Sequence, residues 1–247
     1  MSRFFVHRDR LREGRIDFDS EHVHQIARVL RLRVGATVAV LDNGGWIYDV
    51  ELTEVSPTAV KGTLKRRQLA PGEPRTKVTL YPALLKSDKL EYVLQKCTEL
   101  GVSAFAPVVT DRCNVGVSMS EEKAERWERI IAEAAEQCER GRLPQLYPTL
   151  MYGSACDQAR GVSFIASERG DRLSIKSEMA KRIDGRGKRA FALNLFVGPE
   201  GGYTDAEIAE AIEHGIVPIG LGPRILRAET ASIVGAALML AYAGDLE

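Results

Sequence analysis

The residues best placed to do chemistry gather in two glycine-punctuated segments toward the end of this 247-residue chain. The first reads Val197-Gly198-Pro199-Glu200-Gly201-Gly202-Tyr203-Thr204. The second reads Leu221-Gly222-Pro223-Arg224-Ile225-Leu226-Arg227-Ala228-Glu229-Thr230-Ala231. Glycine and proline together set backbone angles that other residues resist, so such loops bring backbone N–H and C=O groups against a ligand. The second segment adds two arginines and a glutamate, which are not inert turn residues. Each segment follows an apolar run (191–197 and 216–221) and leads into a helical pattern. Two such loops at the ends of neighbouring strands read as a binding crevice. Neither has the Lys-Ser/Thr of a phosphate-binding P-loop or the G-x-G-x-x-G of a dinucleotide fold, so those chemistries are set aside.

The elements that must position these loops alternate in type from residue 76 onward. Strands are expected at 76–85, 105–110, 162–166 and 191–197. Helices are expected at 88–100, closed by Gly101, and at 120–140, with Trp127, Ile130, Ile131, Ala134 and Cys138 on one face. Thr204-Asp-Ala-Glu207 is a capping box that opens a helix ending at Gly215, and a last helix covers 229–243. This rhythm predicts a parallel sheet covered on both faces. The first 70 residues read differently. Apolar alternation at 37–41 and 46–53 flanks the turn Asp42-Asn43-Gly44-Gly45, a hairpin signal, with a further strand at 59–64. One helix is expected at 20–32, and the whole suggests a small barrel. Ala70-Pro-Gly-Glu-Pro74 is a linker, giving two domains, 1–70 and 75–247.

Composition narrows the class. Formal net charge is zero, but residues 1–69 hold 12 Lys+Arg against 9 Asp+Glu, so the basic end is the N-terminal one. Its basic residues cluster as Arg3, His7, Arg8, Arg10 and Arg12, then Arg28, Arg31 and Arg33, then Lys65, Arg66 and Arg67. Cys97, Cys113, Cys138 and Cys156 are far apart and read as free thiols. The four histidines offer no ligand pattern, so no metal is expected. No apolar run approaches the ~20 residues of a membrane span and no signal peptide is evident, which reads as a cytoplasmic protein.

The wording of the two loops is more specific than their chemistry. GPEGGYTDAEI (198–208) and LGPRILRAETA (221–231) resemble the signature of the SPOUT methyltransferases, and within them the RsmE-type 16S rRNA uridine-N3 methyltransferases. Further stretches are similar to the same family: residues 94–102 (LQKCTELGV), Asp111-Arg112-Cys113, 133–142 (EAAEQCERGR) and 28–33 (RVLRLR). The poorest match is 152–190. The resemblance implies a small PUA-like β-barrel, then a parallel α/β SPOUT domain with a C-terminal trefoil knot, working as a homodimer. It implies S-adenosyl-L-methionine as cofactor, held by Gly198, Glu200, Gly201, Gly202, Leu221 and Gly222, with Leu226, Thr230 and Ala231 closing around adenine and ribose. Catalysis would fall to Arg227, which stabilises developing charge or holds the target phosphate, and to Glu229, a proton acceptor or the acidic opening of the last helix. The implied partner is small-subunit rRNA or the assembled small ribosomal subunit, contacted by Arg3, Arg8, Arg28, Arg31, Arg33, Arg112 and Arg224. Activity on tRNA or at another RNA atom, and a non-catalytic RNA-binding module, are the alternative implications.

Overall fold

The computed structural model describes residues 1–86, 88–113, 120–169, 172–183 and 191–246, and divides into two compact units. The first contains residues 1–73 and 135–143, and the second 74–134 and 144–247.

The first unit is a six-stranded sheet in the order β1-β4-β5-β6-β3-β2. Its strands are β1 (Arg3–Phe5), β2 (Leu11–Arg12), β3 (Arg15–Asp17), β4 (Thr37–Leu41), β5 (Trp46–Val55) and β6 (Val60–Leu69). Strands β1 and β2 form its two ends, and the sheet curls as a half-barrel, the form the expected small barrel takes here. The hairpin β4–β5 turns where the sequence places it. Buried Asp42 fixes the turn by accepting hydrogen bonds from Gly44 N (2.8 Å), Trp46 N (3.2 Å) and Tyr48 Oη (3.3 Å). Inside the curl, Phe4, Ile16, Ile26, Val38, Val50 and Leu52 are buried completely or nearly so. The single expected helix has two geometries. It starts as α1 (Ser20–His24), capped by Asp19, and widens into a π-helical turn over Gln25–Val29, where Leu30 N reaches Gln25 O.

The segment 135–143 joins this unit through a carboxylate. Glu73 accepts from the Arg140 guanidinium (3.3 and 3.1 Å), Gly141 N (2.9 Å) and Arg142 N (3.1 Å). Arg142 in turn donates to Gly44 O, and Leu143 N to Asn43 Oδ1. The family-like stretch 133–142 thus serves the hairpin turn.

The second unit is built on a seven-stranded, wholly parallel sheet in the order β10-β8-β7-β14-β12-β15-β13. Its members are β7 (Lys77–Pro82), β8 (Ala104–Phe105), β10 (Gln145–Leu146), β12 (Val162–Ala166), β13 (Leu173–Ser174), β14 (Ala192–Val197) and β15 (Val217–Gly220); β9 (Val108–Val109) and β11 (Leu150–Met151) pair separately. Pro107, which has no N–H to give a ladder, lies between β8 and β9, so the one strand expected at 105–110 is two short ones. Helices α2 (Lys89–Leu100), α3 (Glu121–Gln137), α4 (Tyr152–Gln158), α5 (Ile175–Ile183), α6 (Asp205–Glu213) and α7 (Ala228–Tyr242) complete it. Gly101 ends α2 in the left-handed region at φ 109°. Trp127, Ile131 and Ala134 are buried, and Ile130 and Cys138 half-buried, as the helical spacing requires. Of the poorly matching stretch 152–190, residues 170–171 and 184–190 lie outside the described residues, and the rest supplies β12, the second-loop neighbour β13, α4 and α5.

Candidate functional site

In a parallel sheet every strand delivers its following loop to the same edge, and ligands bind along that edge. Strands β14 and β15 do this for the two glycine loops, but they are not adjacent. Strand β12 lies between them, pairing with both, so its end at Ala166 separates the strand ends that deliver the two loops. The sequence reading of neighbouring strands is corrected on this point: the crevice is one strand wider. Helices α2 and α7 pack together, and both begin at this edge, bringing positive helix ends to it.

The first loop is tightly held. Its entry is narrow, because a Cβ on Gly198 would meet the Tyr203 ring at 3.1 Å. Gly202, at φ 68°, closes a turn by donating its N–H to Pro199 O at 2.9 Å. Arg112 donates through Nη1 to the carbonyls of Gly201 (2.9 Å) and Tyr203 (3.1 Å). Glu200 pairs with Lys89, at the start of α2, at 2.8 Å. The exit is the expected capping box: Thr204 Oγ1 accepts from Glu207 N, and the Glu207 carboxylate accepts from Thr204 N at 2.8 Å. Glu207 also accepts from Asp111 N at 2.9 Å, tying the turn that carries Arg112 to the same helix start.

The second loop is more open. Gly222 has φ 119°, a value strained for any residue with a side chain, and nothing lies within 4 Å of where its Cβ would be. Pro223, Arg224 and Ile225 are exposed, Ile225 by 71%. Leu221 and Leu226 are half-buried against the main core. Arg227 is the extended residue just before α7; its carbonyl accepts from Ala231 N at 2.8 Å and its side chain is exposed. Thr230 is exposed and Ala231 buried on the first turn. Glu229 Oε2 is inaccessible to solvent and has no hydrogen-bond partner among the described residues. A buried carboxylate oxygen without a donor is costly, and a ligand N–H would relieve it.

Four charges share this neighbourhood. The hydrogen bond from Lys89 to Glu200 raises the ammonium pKa; desolvation opposes, the negative charges of Glu200 and Glu229 assist, and the positive charge of Arg227 opposes. For Glu200, burial alone would raise the pKa, but hydrogen bonds from Lys89 and from backbone N–H groups, including that of Lys86, hold it below the usual carboxylate value. Lys89 escaped the sequence reading. Its signal was there, since a cation in the first turn of a helix is unfavourable unless a carboxylate answers it.

The basic residues of the first unit divide in two. Arg3 is occupied, donating to the Glu139 carbonyl and carboxylate at 3.0 Å each. Arg8, Arg28, Arg31 and Arg33 are exposed, and the last three share their stretch with exposed Val29, Leu30 and Val34. A separate cavity of about 270 Å³ in the second unit is lined by Thr110, Asp111, Tyr152, Glu207 and Glu210 among others, and contains neither glycine loop. Its carboxylates have the wrong sign for a polyanion. Among the described residues no cluster of His, Cys, Asp and Glu could hold a metal ion, and no helix is long and apolar enough to cross a membrane.

A curled, mostly antiparallel sheet followed by a parallel α/β sheet with paired glycine loops defines a methyltransferase of the SPOUT kind. Residues 72–240 match the family model of the RNA methyltransferase domain. The ribosomal RNA small subunit methyltransferase E of Synechocystis sp. is 36% identical over 235 residues, covering 95% of this chain and 76% of its own. That of Bacillus subtilis is 32% identical over 248 residues, covering 94% and 93%. The crystal structure of the Neisseria gonorrhoeae enzyme of the same name, bound to S-adenosyl methionine, superposes with a TM-score of 0.85 at 29% identity over 98% of this chain and 97% of that one. The chain belongs to the ribosomal RNA small subunit methyltransferase E family.

Proposed function

We propose that the chain transfers the methyl group of S-adenosylmethionine to N3 of one uridine of 16S rRNA, near the decoding centre. The single observation that carries this is the second loop. It sets exposed Arg227 beside a buried, partnerless Glu229 oxygen, on the edge where the first loop is already rigidly formed. Membership of an rRNA methyltransferase family and the Neisseria relative's structure bound to S-adenosyl methionine support this reading.

The residues fit such a cofactor. Backbone groups of Gly198, Gly201, Gly202, Leu221 and Gly222 would hold it, with Glu200 ordering the first loop and Leu226, Thr230 and Ala231 along adenine and ribose. S-adenosylmethionine supplies a methyl group on a positively charged sulfur, ready for in-line displacement. Uracil N3 must first lose its proton, and Glu229 Oε2, with no donor of its own, accepts it. The resulting negative charge spreads to the two uracil carbonyls, where the Arg227 guanidinium stabilises it. The N3 lone pair forms the new bond to carbon as the sulfur–methyl pair returns to sulfur. Alignment of the two reactants supplies much of the acceleration.

RNA would be contacted by phosphate neutralisation at Arg8, Arg28, Arg31 and Arg33 of the first unit and, separately, at Arg224 of the second. The homodimer belongs to the same reading. Helix α7 is apolar all round, and Ile233, Val234, Ala237 and Leu238 remain half-buried in the single chain, a face suited to a second copy. So does the knotted topology, for α7 returns to pack on β7 and β14 after β15 has been laid beyond β12. A cytoplasmic location follows from the substrate.

The test is methyl transfer from labelled S-adenosylmethionine to unmodified small ribosomal subunits, wild type against Arg227→Ala, with product located by digestion and mass spectrometry. One N3-methyluridine, reduced at least a hundredfold in rate by the variant, is expected. Cofactor binding without transfer would leave an RNA-binding module, and product on tRNA or at another atom would reassign the substrate.

A further inference from the structure

Arg112 lies in the Asp111-Arg112-Cys113 motif, where a surface arginine reads as an RNA contact. Its geometry assigns it elsewhere. The turn that carries it is fixed at both ends. Cys113 N donates to Thr110 O at 3.1 Å, and Cys113 Sγ sits 3.2 Å from Thr110 Oγ1. Asp111 N donates to Glu207, and Thr204 Oγ1 lies 3.4 Å from Asp111 Oδ2. From this fixed base the arginine reaches across to the first glycine loop. One nitrogen, Nη1, bridges the carbonyls of Gly201 and Tyr203. The aliphatic stem lies along the loop as well, since a Cβ on Gly201 would meet Arg112 Cβ at 3.2 Å and Cδ at 3.4 Å. Any side chain at 201 would push the stem back by a few tenths of an ångström. Although Arg112 is exposed, its stem and its Nη1 are engaged with loop backbone.

We infer that Arg112 is a positioning residue for the cofactor: it holds 198–203 in the shape that receives S-adenosylmethionine before RNA arrives. This rests on the functional reading above and refines it. Without the bridge, two carbonyls and a glycine-rich segment would have to be ordered by the ligand itself, and ordering of that kind is subtracted from affinity. A lysine keeps the charge, but its nitrogen stands one bond nearer the backbone than Arg112 Nη1 and falls short of the two carbonyls.

The experiment measures binding of S-adenosylmethionine to the full-length protein by calorimetry, without RNA, for wild type, Arg112→Ala and Arg112→Lys. Affinity of the same proteins for small-subunit rRNA is then measured across salt concentrations at saturating cofactor. Ligand-free melting curves check that each variant is folded, and Arg112→Lys serves if the alanine variant is not. The expected result is a cofactor Kd raised at least tenfold in both variants, with the salt dependence of RNA binding unchanged. An RNA-contacting arginine would instead leave cofactor affinity intact and take about 0.7–0.9 from the log–log salt slope of the alanine variant. Unchanged cofactor affinity, or a reduced salt slope, overturns the inference. Wild-type protein that bound no S-adenosylmethionine would bring down the functional reading itself, a result separate from either variant's behaviour.

Discussion

Replacing Glu207 isolates the joint on which the first loop depends. The side chain is 4% exposed, and its carboxylate accepts from two backbone N–H groups, Thr204 at 2.8 Å and Asp111 at 2.9 Å, besides lying 3.2 Å from the Thr204 hydroxyl. Glu207→Ala strips both N–H groups of their acceptor. A buried donor left unpaired costs ~1–3 kcal/mol, so the pair sums to ~2–6 kcal/mol. The 270 Å³ cavity beside Glu207 can admit water to these donors, which brings the expectation toward the lower half, about 3 kcal/mol. Glu207→Gln keeps one acceptor oxygen and abandons one donor, for about 1–1.5 kcal/mol. At ~2–4 °C per kcal/mol for a unit of this size, the alanine variant should melt about 6–12 °C lower. Trp46 stands in the first unit and Trp127 in the core of the second, so a Trp46→Phe background leaves fluorescence reporting only on the unit that holds Glu207. Thermal and urea transitions followed this way give the two costs. A shift under about 2 °C for alanine, or equal shifts for alanine and glutamine, would refute the hydrogen-bond accounting.

Two further outcomes follow from packing and titration. A Cβ on Gly235, in the middle of α7, would meet Leu195 Cδ2 at 2.6 Å, so Gly235→Ala should destabilise by ~1–3 kcal/mol as Leu195 is displaced, measured by urea unfolding. Asp245 ties the end of the chain to the start of β7. Burial alone would raise its pKa, but hydrogen bonds from Thr76 and Arg75 outweigh that and lower it. A lowered carboxylate pKa adds stability that is full above the unfolded value of ~3.9 and is lost as pH falls through the folded one. Asp245→Asn should therefore melt below wild type at pH 7, with the gap closing below about pH 4 in melts across that range.

What could be read from sequence was what short stretches encode. The capping box Thr204–Glu207, the turn at Asn43-Gly44 and the glycine ending α2 are local chemistry, and each formed where its residues stand. The crevice was legible as two loops but not as a width, because strand order is a long-range property and β12 comes from a stretch with no family wording. The partners of Glu200, Arg112 and Glu73 lie 111, 89 and 67 residues away along the chain, beyond any periodicity. The widening of α1 into a π-turn likewise has no signal in its apolar spacing. The first sheet's curl was legible in its hairpin and short strands, but the order that puts β1 and β2 at its ends was not.

The first unit is discontinuous, and this fixes when it can exist. Residues 1–73 supply the sheet, but the guanidinium and backbone donors that satisfy Glu73 arrive only with residues 140–142. During synthesis at ~5–20 residues per second, the interval between the two parts lasts roughly 4–14 s. Through that interval the newborn sheet carries an unanswered carboxylate at its edge and an unpinned hairpin turn. The half-barrel thus carries a clasp that the chain fastens only after α3 has been made, and a fragment ending at residue 73 would lack the donors that answer Glu73.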